Sequence, residues 1–118
     1  MTHIGATFVL AGEGHHLRVV ISKKNESDGL VLVCNLTDRD HDPDCLCKFE
    51  AGEHKRITKP SVVEMRKLIA LPVDKFPEAV RRGHIVLRED FPVELVERIV
   101  TAVLKTKSVR PKFKAYLH

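Results

Sequence analysis

Hydrophobic and polar positions follow one period in the first half of this chain and another in the second. The first half is a series of short apolar segments divided by turn residues. Thr7-Phe8-Val9-Leu10 is a short apolar run, and Ala11-Gly12-Glu13-Gly14 after it reads as a turn. Leu17-Arg18-Val19-Val20-Ile21 is rich in β-branched residues and gives way to polar Ser22-Lys23-Lys24-Asn25 and a loop to Gly29. Residues 30–36 are apolar at nearly every position, the pattern of a strand buried on both faces. A charged loop over residues 39–43, a short strand over 45–49 and a turn at Ala51-Gly52-Glu53 follow. Residues 61–71 carry two opposed signals. Ser61-Val62-Val63-Glu64 fits a helix capping box, whereas Val62, Val63, Ile69 and two flanking prolines favour extended chain, and we read a strand.

The second half turns helical. Residues 76–82 predict a short helix with Pro77 in its first turn and Gly83 as its stop. Residues 92–107 are the clearest helix, with Val93, Val96, Ile99, Val100, Val103 and Leu104 at 3.6 spacing. Glu94 and Glu97 near its start and Lys105 and Lys107 near its end complement the helix dipole. Val96, Ile99, Val100 and Val103 are the expected buried stripe. Val109-Arg110-Pro111 ends the helix, and the tail from about residue 108 is basic through Arg110, Lys112 and Lys114, with Phe113 and Tyr116 among them. The whole is expected to be one domain, mainly β with α: a small SH3-like antiparallel barrel of about five or six strands with a C-terminal helix packed on it.

Composition narrows the class. Of the 118 residues, 43% are hydrophobic and 31% charged, with Gly 6 and Pro 6, which excludes collagen and low-complexity disorder. No apolar run approaches the roughly 18 residues of a membrane span. The N-terminus lacks the basic and apolar regions of a signal peptide. Three cysteines, an odd count, fit a reducing, cytoplasmic setting. The net charge of +4 is compatible with a nucleic acid or acidic partner. Trp is absent and aromatics are 5%, which argues against an aromatic base-stacking platform.

Seven histidines supply candidate acid/base groups. Strand alternation puts His16, Arg18 and Val20 on one side and Leu17, Val19 and Ile21 on the other. Asn35 and Thr37 share a face at the end of the next strand. An imidazole, a guanidinium, an amide and a hydroxyl at strand ends suit a phosphodiester, the histidine moving protons and the arginine holding phosphate oxygens. The same residues also read as ordinary solvent-facing positions. Gly52-Glu53-His54 offers His54 as a second acid/base group, and Lys55 and Arg56 as phosphate contacts or as a solvated charge run. Cys45-Leu46-Cys47, near His41, Asp42 and His54, raises the question of zinc. No second Cys or His pair completes four ligands, so no metal is expected. Cys34 reads as a small core residue. No P-loop, nucleophile-elbow, zincin or dinucleotide-binding motif occurs.

Taken together, the strand over residues 16–22, the strand ending Asn35-Leu36-Thr37, the turn Gly52-Glu53-His54 and Ser61-Val62-Val63 resemble the MazF/Kid/PemK toxin superfamily over roughly residues 5–105. His16 stands where that family has arginine, with Arg18 two residues on. Leu17 and Asn35 replace prolines, and Asp38 replaces a serine, so the pattern is similar to a divergent PemK-like branch. The resemblance implies an SH3-like barrel and a homodimeric, toxin-type endoribonuclease. It would cut single-stranded RNA without metal or cofactor and be paired with an antitoxin protein. His16 and His54 would be its acid/base pair, Arg18 would stabilise developing charge and Thr37 would position the phosphate. Asn35, Lys55 and Arg56 would contact RNA. The alternative is a non-catalytic barrel that binds a protein partner or nucleic acid, because barrels of this shape host many functions.

Overall fold

The computed structural model describes residues 1–13, 16–38 and 47–117. Among them are seven strands: β1 (Thr7–Leu10), β2 (Arg18–Val20), β3 (Leu30–Asp38), β4 (Lys48–Phe49), β5 (Ser61–Val63), β6 (Ile69–Pro72) and β7 (Ile85–Arg88). The helices are α1 (Phe76–Arg81), α2 (Val93–Lys105) and the short α3 (Pro111–Lys114). Every strand pairing among the described residues is antiparallel. The hub is β3, whose nine residues are paired along both edges. One edge meets β2, with Arg18 opposite Asn35, Val19 opposite Cys34 and Val20 opposite Val33. The other edge is divided, Leu30 to Val33 pairing β6 and Leu36 to Asp38 pairing β5. Among the described residues the path runs β4-β5-β3-β2-β1-β7 and does not close on itself. The fold is therefore the small, mainly β, barrel-like architecture with a C-terminal helix that the sequence predicts, its antiparallel sheet not closed among the described residues.

Both faces of the sheet are covered, which explains the continuous apolar run in β3. Leu32, Cys34 and Leu36 point to one face with Val19 and Ile21, where Leu95, Val96, Ile99, Ala102 and Val103 of α2 pack. Val31 and Val33 point to the other with Phe8, Val20, Ile85 and Phe76 of α1. There Phe8 and Phe76 meet edge to face at 5.3 Å. Past Val33 the second face changes character: its next two positions on β3 are Asn35 and Thr37, and its β2 neighbour is Arg18.

Several expectations change at this level. The segment 61–71 is extended, as read, but a single 3₁₀ turn over Met65–Lys67 breaks it into β5 and β6, so it serves two stretches of β3. β7 is not among the predicted strands because its apolar run, Ile85 to Leu87, is only three residues long; pairing with β1 along all four residues makes it a strand. In α2, Val96, Ile99 and Val103 are buried, whereas Val100 is half-buried and Val93 and Leu104 are exposed. Beyond the helix the chain folds back, and Phe113, Tyr116 and Leu117 pack on the core. The expected strand over 45–49 is seen as β4, its first two residues lying outside the described ones, as does the charged loop 39–43. No helix of the described residues is long and apolar enough to cross a membrane.

One backbone crossing ties the layers together. The Gly5 N–H donates to the Val20 carbonyl, and the Gly5 carbonyl accepts from the Phe91 N–H just before α2. Gly5 has φ +93°, and a Cβ there would lie 2.8 Å from the Phe91 oxygen, so this crossing requires glycine.

Candidate functional site

The polar end of the second face is assembled from β2, β3 and the residue after β5. Arg18 and Asn35 are directly opposed across the β2–β3 ladder, so their side chains leave the same face. Asn35 is buried, and the Arg18 side chain is 14% exposed. The Arg18 guanidinium donates to Glu13 Oε2 at 2.8 Å. The Asn35 amide nitrogen donates to Glu64 Oε1, and Lys67 Nζ lies 3.3 Å from Glu64 Oε2. Glu64 reaches this position because its N–H bonds the Asn35 carbonyl as β5 ends.

Two buried polar atoms of this group have no hydrogen-bond partner among the described residues: Nε of Arg18 and Oδ1 of Asn35. Leaving such an atom unmatched costs about 1–3 kcal/mol, and native interiors hold few of them. One is a donor and the other an acceptor, both buried, on directly opposed residues of adjacent strands.

His16 stands at the entrance to β2, exposed to solvent. Its Nδ1 is 3.2 Å from the Leu36 carbonyl oxygen. A carbonyl only accepts, so Nδ1 is the donor, and in the neutral ring Nε2 is then the acceptor nitrogen. Thr37, next to Leu36, is buried on the face of Asn35, opposite Val62 of β5. Four of the residues singled out in the sequence, His16, Arg18, Asn35 and Thr37, thus meet around the β2–β3 ladder.

His54 has a different setting. It is buried, with its ring 4.8 Å from that of Phe91 in the core cluster beneath α2. Its Nε2–H donates to the Glu89 carbonyl at 2.7 Å, and its Nδ1 accepts the Arg56 backbone N–H at 3.0 Å. Both ring nitrogens are engaged with backbone, and the ring lies on the face of Leu17 rather than that of Arg18. Each of the two histidines has its own backbone partner, His16 the Leu36 carbonyl and His54 the Glu89 carbonyl, and His54 fastens the 54–56 turn to the residue after β7. Lys55 and Arg56 extend that fastening, reaching Glu89 at 3.3 and 2.9 Å. The Arg56 guanidinium, with Lys55 beside it, holds the Glu89 carboxyl down at about 2.

Glu13 and Glu64 belong to this group without any sequence signal for it. Glu13 reads as a turn residue and Glu64 as part of a capping box, and neither pattern shows an acid contacting a residue of β2 or β3. Cys34 is a core residue, as read, and burial raises its thiol well above the usual range. Cys47 is buried as well and is pushed up to about 11. Cys45, His41 and Asp42 lie outside the described residues. Among the described residues no three His, Cys, Asp or Glu side chains are grouped to hold a metal ion.

No protein-family model, curated protein or solved structure matches the chain.

Proposed function

We propose that this chain is a metal-independent endoribonuclease for single-stranded RNA, of the toxin type that the MazF/Kid/PemK resemblance implies. It would act in the cytoplasm as a homodimer held in check by an antitoxin protein. The observation that supports this reading is the open pair, Nε of Arg18 and Oδ1 of Asn35. A ribose phosphate offers both halves of what that pair lacks: phosphate oxygens accept from the guanidinium, and the 2′-OH donates to the amide oxygen. The Glu13 carboxylate on Arg18 stands where a phosphate would sit and is displaced by it.

In this scheme Nε2 of His16 takes the 2′-OH proton. The 2′-oxygen attacks phosphorus, the bond to the 5′-oxygen breaks, and solvent returns a proton to that oxygen. The products are a 2′,3′-cyclic phosphate and a 5′-OH. Arg18 stabilises the charge that builds on the phosphoryl oxygens, and Thr37 positions the phosphate. His54 holds the framework rather than a proton in flight.

A second reading, a non-catalytic module that binds RNA or protein, is favoured by Glu13 and Glu64 already occupying Arg18 and Asn35. The test is incubation of the protein with labelled single-stranded RNA in EDTA. Cleavage to 2′,3′-cyclic ends is expected, falling by about 10²-fold or more in His16→Ala, as for loss of a general base. Arg18→Ala should fall by a similar factor. RNA that is bound but never cut, with His16→Ala binding normally, establishes the binding module instead.

A further inference from the structure

Leu17 lies between His16 and Arg18 and points the other way, so the strand that carries the site also forms part of a groove on the opposite face. The floor of that groove is Val9 and Leu17, and its walls are Lys55, Arg56, Thr58 and Arg88, around a volume of about 240 Å³. Three cations line it. Two of them share the single carboxylate Glu89, while the Arg88 guanidinium meets only the Leu87 carbonyl, at 3.3 Å, among the described residues. The groove is therefore positive in sum and apolar at its base. The Lys55 side chain is 75% exposed and free to follow a ligand.

We infer that this groove takes a segment of single-stranded nucleic acid. One base lies on Val9 and Leu17, and the flanking phosphates bind Arg88 and Lys55. The volume is below the roughly 300–1,000 Å³ of pockets that enclose a whole small molecule, which suits one unit of a longer chain. An aliphatic floor calls for the flat face of an unpaired base, which a duplex keeps stacked inside. Guanidinium forks match phosphate oxygens. An acidic peptide would satisfy the cations but leave the floor without an occupant. Leu17 of this groove is the chain neighbour of His16 and Arg18, so a strand seated here would be held on the reverse side of the strand that carries the proposed cleavage site. As an extension of that site the groove rests on the RNA reading above; as a binding surface it can be measured separately.

The experiment is fluorescence anisotropy with a labelled single-stranded DNA dodecamer, which has no 2′-OH and cannot be cut by the proposed mechanism. The intact protein should bind it, and more tightly than it binds a duplex of equal length. Lys55→Ala/Arg88→Ala should raise Kd by about tenfold. The slope of log K against log salt should shrink by about 1.4, at about 0.7 for each phosphate no longer neutralised. Lys55→Glu alone changes an exposed side chain and should act in the same direction. Unchanged binding in both variants overturns the groove and leaves the nuclease reading standing if RNA is still cut in a His16-dependent way. Equal competition by polyglutamate, charge for charge, overturns it in favour of an acidic peptide. Weakened binding in both variants, in a protein that cuts no RNA, upholds the groove and removes the nuclease reading.

Discussion

Arg18 and Asn35 face each other across β2 and β3, and each buries a polar atom that no described residue satisfies. The arrangement is costly for folding. Replacing both residues by leucine removes the two orphaned atoms together with the Arg18–Glu13 and Asn35–Glu64 bonds, and Glu64 keeps Lys67. Stability in urea should rise by about 1 kcal/mol, because each unmatched group costs about 1–3 kcal/mol and each of the two hydrogen bonds contributes about 1. A loss of more than about 2 kcal/mol would mean that the two atoms are matched in solution, and the site would lose its main support.

His54→Ala removes two hydrogen bonds and the packing against Phe91. The cost should be about 2–3 kcal/mol of stability, read from the shift of the urea midpoint. If the variant is as stable as the parent yet no longer cuts RNA, His54 belongs to the chemistry after all.

Acid should loosen the attachment of the 54–56 turn. The folded-state value of Glu89, about 2, lies below the ordinary 4.5. Its contribution to stability is therefore complete above pH 4.5 and is lost as pH falls toward 2. Glu53, held down by Arg98, and Glu78, held down by Arg81 and Arg82, act in the same direction. Glu89→Gln should flatten the acid limb of a stability–pH curve only in part. An unchanged limb would show that the Lys55–Arg56–Glu89 contacts are too screened by water to matter.

Gly5→Ala forces a Cβ against the Phe91 carbonyl and a side chain into positive φ. We expect a loss of about 2 kcal/mol or more, with the melting temperature as the measure. A neutral substitution would mean that the crossing between β2 and the start of α2 yields easily.

The thiols of Cys34 and Cys47 should resist alkylation at pH 8 in the folded protein and react fully in denaturant. Burial raises both, that of Cys47 to about 11, so almost no thiolate is present. Peptide mapping after a timed exposure distinguishes the two sites, and labelling of Cys47 at the rate of a free thiol would refute its burial.

The local elements are legible in the chain because their signals are local. The unbroken apolar run of β3 announces cover on two faces, the proline and glycine around α1 mark its ends, and the 3.6-residue stripe of α2 identifies Val96, Ile99 and Val103 as buried. Alternation alone also puts His16 and Arg18 on one side of β2, and Asn35 and Thr37 on one side of β3. Long-range pairing decides the rest. Periodicity reports which side of an element is apolar but not which element will cover it. β7 therefore exists only through β1, and the break between β5 and β6 only through the two halves of β3. The same limit applies to the site. Arg18 meets Asn35 through the register of two strands, Glu64 reaches Asn35 from 29 residues away, and His54 is claimed by the Glu89 carbonyl 35 residues on. The side chains able to do chemistry are visible in the sequence. Tertiary pairing determines which of them are left open and which are consumed in holding the fold, because a hydrogen bond between distant residues leaves no periodic trace.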